Sequence, residues 1–430
     1  MTSPVGMVRD LWRHHRGAEP LSLAENTLWN AVGSVFYQGC VWVITVLVVV
    51  LSQGDYGAGG ALAYAMTIGT VFTPLATYGI RPVQVSDVHD EYSLSNYVGF
   101  RLVTMTCAAV LSLAYATLTT ADPALLPTVI CFLAFKADEA FSTVLYAAEQ
   151  KAGRMDYVGI SQVLRGICVV GGFAGTLLLG GSLLVALLVM AGLCLCVTLF
   201  YDLPHTRKFA PVRPLISREQ ALTLARTCLP VVSATLVSGL IVSVVRQYFG
   251  NAYGEEALGY YASVATPSVI VQVLAEYLYA PALTPLAEKW SDGAPGEFTR
   301  FMLKIFALVV DVAGAAVLAL SLAGGPLLTR LYGLSIEPYV HLLPMVLVGT
   351  SLTALLWYFM DVLVAIRHFG DQLVACLLAL AVSAGTMVPF TATFYMDGVN
   401  FAICAGLGTG VAFAFWRVVA LTRAHEAGRA

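Results

Sequence analysis

The feature that most constrains this chain is the recurrence of long apolar segments. Val41–Leu51, VWVITVLVVVL, is typical. A helix needs about 20 mostly apolar residues to cross the hydrocarbon core of a bilayer. Twelve segments approach or meet that length: 26–51, 57–80, 97–119, 124–148, 157–179 and 182–201, then 221–248, 256–282, 299–321, 338–366, 372–394 and 398–421. Inside lipid the backbone must satisfy its own N–H and C=O groups, which leaves helices or a closed barrel. A barrel would show alternating segments of about ten residues, and Val41–Leu51 does not alternate. The expectation is an all-α polytopic membrane protein with twelve transmembrane helices in two six-helix lobes. Charge supports it: 11% of the 430 residues are charged, against about 25% in soluble domains. A net charge of −3 gives no reason to expect a nucleic-acid partner.

Loop charges predict the orientation. With the N-terminus inside, 16 of the 23 Lys and Arg fall in tails or even-numbered connections, among them Arg9, Arg81, Lys151, Arg207, Lys289, Arg367 and Arg429. The opposite side holds Arg330 and, at a helix end, Arg246. By the positive-inside rule both termini are cytoplasmic. The expected organisation is a tail (1–25), a first lobe (26–201), a basic linker (202–220), a second lobe (221–421) and a second tail (422–430). The halves resemble each other at an offset of 202, where Gly57 meets Gly259. Each has a second helix interrupted by proline (Pro74, Pro267), then a polar segment (81–96, 283–298), then a helix with a basic residue near its start (Arg101, Lys304). Six-plus-six repeats recur in transporters, with the substrate site between the repeats.

A charge at mid-bilayer costs about 2.5–3.5 kcal/mol on insertion scales, so each one asks for a reason. Arg101, Arg165 and Lys304 lie one to two turns from an inner helix end, where long basic side chains can snorkel. Lys136, Asp138 and Glu139 lie deeper, about 18 Å along their helix at the usual rise. Lys136 and Glu139 are three apart and can pair on one helix face. Asp138 is off that face and needs a cation from another helix or an aqueous cavity. Asp311, in LVVDVAG, has no local partner and is a candidate proton carrier. Glu276 and Asp361 lie nearer the inner side, and Gln272, Glu276 and Tyr279 share a helix face. Asn26, Asn30, Ser34 and Tyr37 form a polar stripe on the first helix, suited either to interhelical hydrogen bonds or to lining water. Between Arg81 and Arg101, the acidic run Asp87, Asp90 and Glu91 reads as a solvated linker.

Soluble-enzyme chemistry finds no support. The seven His are scattered over tails and loops without HExxH spacing. No GxxxxGK[ST] loop occurs, and no extramembrane segment reaches about 30 residues, too short for a catalytic domain of usual size. The nine Cys all lie in apolar runs and read as packing residues. The expectation is therefore a non-enzyme without cofactor or metal site, and without a cleavable signal peptide.

Several stretches resemble the polysaccharide repeat-unit flippases, O-antigen and capsule branch, of the MATE-like multidrug/oligosaccharidyl-lipid/polysaccharide (MOP) superfamily. They are Asn26, Thr27 and Asn30 in ENTLWNAVGS; LSQGDYGAGG (51–60); YGIRPVQVSD (78–87) with NYVGFR (96–101); AEQKAGRMDYVGISQVLRG (148–166), with Gln150, Arg154, Asp156, Ser161 and Arg165 in step; and LLTRLYG (327–333). One departure is the absence of the arginine that the family often has near the end of helix one; this chain reads VVVLSQG there.

The resemblance implies a MATE-like fold in the bacterial cytoplasmic membrane. It also implies translocation of an undecaprenyl-diphosphate-linked oligosaccharide for surface polysaccharide biosynthesis. Partners on this reading are the lipid-linked oligosaccharide, membrane lipids, a proton or sodium counter-ion and a polysaccharide polymerase. A diphosphate favours Arg and Lys. The substrate candidates are thus Arg81, Arg101, Lys136, Arg165, Lys304, Asn26, Asn30 and Gln272. The ion-coupling candidates are Asp138, Glu139, Glu276, Asp311 and Asp361. Pro74, Pro267 and the glycines at 57–60 are hinge candidates. The main rival is an ion-coupled multidrug or cation antiporter of the same fold, whose cavity should carry carboxylates and few basic groups. A membrane scaffold would need no unpaired charge such as Asp311. A major-facilitator transporter would carry a glycine–aspartate–arginine–glycine–arginine pattern after helix two, which this chain lacks.

Overall fold

The computed structural model describes residues 20–51, 56–119, 123–332 and 334–427. The tail arginines Arg9, Arg13, Arg16 and Arg429, the core of the 51–60 turn and Gly333 lie outside the described residues. The first half has six long helices: α1 (Leu23–Leu51), α2 (Tyr56–Thr77), α3 (Leu94–Thr119), α4 (Leu126–Lys151), α5 (Met155–Leu178) and α6 (Leu183–Val197). The second half follows with α7 (Arg218–Tyr253), α8 in two parts (Glu255–Ala265 and Val269–Tyr279), α9 (Pro295–Tyr332), α10 (Leu343–Ala365), α11 (Phe369–Phe394) and α12 (Met396–Ala427). No strand occurs among the described residues. The described residues form an all-α, multi-pass membrane protein whose long helices number twelve, with α8 counted as one.

Ten of the spans stand out by length and hydropathy alone. The other two have visible reasons to be weaker. Lys136, Asp138 and Glu139 sit in the middle of α4. In α8, Pro267 lies in a 3-10 turn, Thr266–Ser268, that separates two 11-residue parts. Proline lacks the N–H that would continue the helix. Many large apolar side chains face outward, including Trp42, Leu118, Leu179 and Leu322. A water-soluble surface would not carry so many; lipid is their solvent.

Helix starts at one end share a device. Ser22 with Glu25, Ser93 with Asn96, and Ser217 with Gln220 each form a reciprocal cap, opening α1, α3 and α7. Such a box satisfies N–H groups that a helix start leaves without partners. This end also holds the segments 81–96, 152–154, 207–217 and 366–368, and we term it the basic end. The linker lies across the start of α3: Ser95 Oγ donates to Pro211 O and Asn96 Nδ2 to Leu215 O. Part of the expected linker, 202–220, is helical. A π turn, Thr198–Asp202, and a short helix, Leu203–Thr206, extend α6, and α7 already begins at Arg218.

Each half has its own apolar core. One is built from Ile44, Phe72, Phe132, Phe173 and Met190, the other from Phe249, Val309, Leu356, Phe359 and Leu407. In the first lobe α1 and α5 cross at glycine. A Cβ on Gly159 would lie 2.5 Å from Trp29 O, and one on Gly33 would lie 2.6 Å from the Gly159 backbone. The two halves share one local feature, a turn into a short helix after the second span. After α2 the chain turns through Tyr78 and Gly79, both at positive φ, into a short helix, Ile80–Val85. After α8 it turns through Ala280–Ala282 into Leu283–Ser291. Gly79 has a second reason to be glycine: a Cβ there would lie 2.6 Å from Val231 of the other lobe.

Candidate cavity between the lobes

The turn at Gly79 aims the short helix Ile80–Val85 into the space between the lobes. Arg81 lines a cavity of about 350 Å³ there, facing Glu276 on α8, Asp361 on α10 and Gln372 on α11. Its guanidinium donates to Gln150 Oε1 at 3.0 Å, and Gln150 Nε2 donates to Ala280 O of the second lobe at 2.7 Å. Glu276 is exposed to this space. Asp361 is hydrogen-bonded by the Tyr279 hydroxyl, and Glu276 faces Arg81 across the cavity. Gln372 is 1% exposed, and its Nε2 has no partner. The cavity is therefore lined by one cation, two carboxylates and the unpartnered Gln372 amide nitrogen.

A second cavity, about 490 Å³, adjoins the first; Ser238 and Trp357 line both. It lies within the second lobe, toward the far end, and is lined by Arg246, Tyr261, Gln272 and Asn400. Arg246 was expected at a helix end in an outer connection. Instead α7 runs on to Tyr253, which leaves Arg246 about 10 Å inside at 1.5 Å per residue. The helical face predicted for Gln272, Glu276 and Tyr279 does line open space: Gln272 faces the second cavity, Glu276 and Tyr279 the first.

Other candidates are placed elsewhere. Arg165 is 2% exposed inside the first lobe. It pairs with Asp138 at 2.6 Å and Asp202 at 3.0 Å, and donates to Ser142 and Thr198. The π turn of α6 supplies Thr198 and Asp202. Asp138 thus meets a cation from another helix, one of the two outcomes its position allowed. Lys136 pairs with Glu139 at 2.6 Å, three residues along α4. Arg101 is fully buried and donates to Ala76 O, near the end of α2, at 2.7 Å; its Nε and one Nη find no partner. A cation at a helix C-terminus meets the negative end of the helix dipole. None of these five lines either cavity. Lys304 and Asp311 are exposed on α9 and also lie outside both.

The polar stripe of α1 joins helices. Asn26 Oδ1 accepts from Met155 N at 2.8 Å, Asn30 Nδ2 donates to Tyr277 O at 3.0 Å, and Ser34 donates to Gln162 at 2.6 Å. Asn30 thereby ties the first lobe to α8 of the second.

Sequence reasoning also missed the role of Asp87. It was read as part of a solvated linker, yet it is fully buried. It accepts from Glu91 N and Tyr92 N at 3.1 Å, from Tyr97 Oη at 2.8 Å and from Arg367 of the other lobe at 3.1 Å. Lys151 reaches its carbonyl and pairs with Asp90 at 2.6 Å. Asp90 and Glu91 are exposed, as expected of that run. His89 and Ser291 add a contact between the lobes at 2.8 Å. These ties lie at the basic end, and the two cavities lie above them.

The class defined by these observations is a two-lobed polytopic membrane protein with a polar cavity at the lobe interface. No family profile and no curated protein matches the sequence. Solved structures do match its fold. An outward-facing multidrug resistance MATE family transporter of the MOP superfamily superposes with a TM-score of 0.76 at 13% identity, covering 96% of this chain and 97% of that one. A mutant of the Vibrio cholerae MATE transporter VcmN gives 0.78 at 12% identity, covering 94% and 96%. A MOP superfamily transporter from Pyrococcus furiosus, described as having a binding pocket of reverse polarity, gives 0.75 at 13%, covering 94% and 97%. The fold is that of the MATE transporters.

Proposed function

We propose that this chain moves a polyprenyl-diphosphate-linked oligosaccharide across the bacterial cytoplasmic membrane by alternating access of its two lobes, with both termini cytoplasmic. The observation that carries this reading is the pair of arginines, Arg81 and Arg246, facing adjoining cavities among amide and hydroxyl groups. Arginine suits a diphosphate because its planar fork can donate two parallel hydrogen bonds. Gln150 occupies one part of the Arg81 fork; the remainder is available to an anion. The first cavity is bounded by both lobes, so a polyprenyl tail can stay in lipid at the seam while the polar head occupies the cavity. Of the substrate candidates named from the sequence, Arg81 and Gln272 line these cavities, and of the ion-coupling candidates Glu276 and Asp361 do.

Glu276 and Asp361 favour a second reading, an ion-coupled exporter of cationic drugs. They also fit a flippase that takes a proton or sodium as counter-ion. Purified protein in proteoliposomes separates the readings. A fluorescent undecaprenyl-diphosphate oligosaccharide should be flipped, at least tenfold more slowly with Arg81→Ala and at the parent rate with Lys304→Ala. Cationic dye efflux without lipid flipping would overturn the flippase reading.

A further inference from the structure

The second cavity contains a cation without a counter-charge. Among its lining residues are Arg246, Tyr261, Gln272, Thr353 and Asn400, and none is Asp or Glu. Arg246 Nε is buried without a hydrogen-bond partner. Its guanidinium lies by the Tyr261 ring at 5.4 Å and hydrogen-bonds to that side chain, which fixes the group and leaves Nε as the unpartnered donor. Asn400 is 2% exposed; its Oδ1 accepts from Tyr261 Oη at 2.7 Å, and its Nδ2 has no partner. Two unsatisfied donors of different types, both buried, therefore belong to residues that line one cavity. An unmet buried donor costs roughly 1–3 kcal/mol, more when charged, so the pair reads as a site waiting for acceptors.

We propose that this cavity binds an acidic sugar, a hexuronate or similar, in the glycan of the carried lipid. Arg246 takes the carboxylate, Asn400 Nδ2 takes a ring or hydroxyl oxygen, and Gln272 and Thr353 are at hand for further hydroxyls. The assignment rests on the flippase reading given above. The diphosphate belongs in the first cavity because its lipid tail needs the seam between the lobes. The second cavity is walled by one lobe alone and admits only the part of the substrate that has no tail. At about 490 Å³ it falls within the roughly 300–1,000 Å³ of small-molecule sites.

Calorimetry on the purified full chain tests this with four soluble probes: a glucuronate-terminated oligosaccharide, the same oligosaccharide ending in glucose, acetate and inorganic phosphate. The glucuronate form should bind at least tenfold more tightly than the glucose form. Arg246→Ala should abolish that preference. Asn400→Asp should do so as well, since it keeps the acceptor for Tyr261 while placing an anion beside Arg246. Arg81→Ala should leave the preference intact. Melting curves confirm that each variant is folded, and Arg246→Lys, which keeps the charge, should retain part of the preference. Equal binding of the two sugars, or a preference that survives Arg246→Ala, overturns the proposal. Acetate or phosphate binding as tightly as the glucuronate form would make the cavity a free-anion site and overturn the sugar assignment. If lipid flipping is absent while the glucuronate preference holds, the transport reading fails and the site stands; flipping without the preference removes the site alone.

Discussion

Arg165 offers the sharpest test of which intramembrane charges hold the fold and which meet the substrate. The sequence made it a substrate candidate; the structure surrounds it with Asp138, Asp202, Ser142 and Thr198 and leaves it 2% exposed. In Arg165→Ala both carboxylates lose their cation. Asp138 keeps the Thr198 hydroxyl at 2.6 Å, whereas Asp202 Oδ1 already lacks a partner. Removing one member of a buried ion pair costs about 3–5 kcal/mol because the other charge stays buried. With two stranded carboxylates, the upper part of that range applies. For a folding unit of about 150–250 residues each kcal/mol lowers Tm by about 2–4 °C, so a loss of about 4–5 kcal/mol should melt the first lobe about 8–20 °C earlier. A thiol-reactive dye in detergent would report it through Cys194, which is fully buried in that lobe's core. Neutralising the stranded groups, as Arg165→Met with Asp138→Asn and Asp202→Asn, should restore at least half of the loss, since the contributions of contacting residues are not additive. An unchanged Tm together with lost transport would refute the structural assignment and return Arg165 to the substrate.

Gly159→Ala should destabilise the first lobe by about 1–3 kcal/mol, because its Cβ would fall 2.5 Å from Trp29 O, whereas Gly171→Ala on the same helix meets nothing within 4 Å; equal melting points for the two variants would contradict the tight crossing of α1 and α5. Asp87→Asn removes the charge that holds Arg367 at 3.1 Å across the lobes. With Arg367 partly exposed the loss should be about 1 kcal/mol, roughly a fivefold shift toward opening at the basic end, read as faster labelling of a cysteine placed at Thr143, which lines the first cavity, by a membrane-impermeant reagent; an unchanged rate would show that the pair does not latch the lobes. Asp361→Asn should alter the proton or sodium dependence of transport, and Asp311→Asn, exposed on α9, should not; the opposite pattern would move ion coupling out of the cavity.

The spans were legible because hydropathy is local, and the Lys136–Glu139 pair was legible because helical spacing is local. Asp138 was half-legible: the need for a cation followed from its position, but the cation's identity depended on how α5 packs. Asp202 as a second partner depended on the π turn that extends α6, which no apolar pattern announces. Arg246 was misplaced by an early helix end; the helix runs five residues further, to Tyr253, which brings Arg246 inside the second lobe. Asp87 could not be read at all, since the partner that makes its burial tolerable lies 280 residues away.

The arrangement of polar contacts also bears on how two lobes of this kind could rock. Within each lobe the polar groups are deeply buried, as in the Arg165 cluster and the Tyr261–Asn400 bond, and breaking them would cost several kcal/mol. Between the lobes the named ties are of a weaker kind: Asn30 and Gln150 to backbone carbonyls, His89 to Ser291, and Asp87 to a partly exposed arginine. A neutral hydrogen bond contributes about 0.5–1.5 kcal/mol net and an exposed ion pair about 0–1, so these four polar ties together amount to roughly 2–5 kcal/mol. Moving a two-state equilibrium from 1:99 to 99:1 takes about 5.5 kcal/mol of differential binding. The polar seal at the basic end is therefore within reach of a single charged ligand, while the lobes themselves are not. An anion that draws Arg81 away from Gln150 would also loosen the Gln150–Ala280 tie, coupling occupancy of the first cavity to release of the lobes.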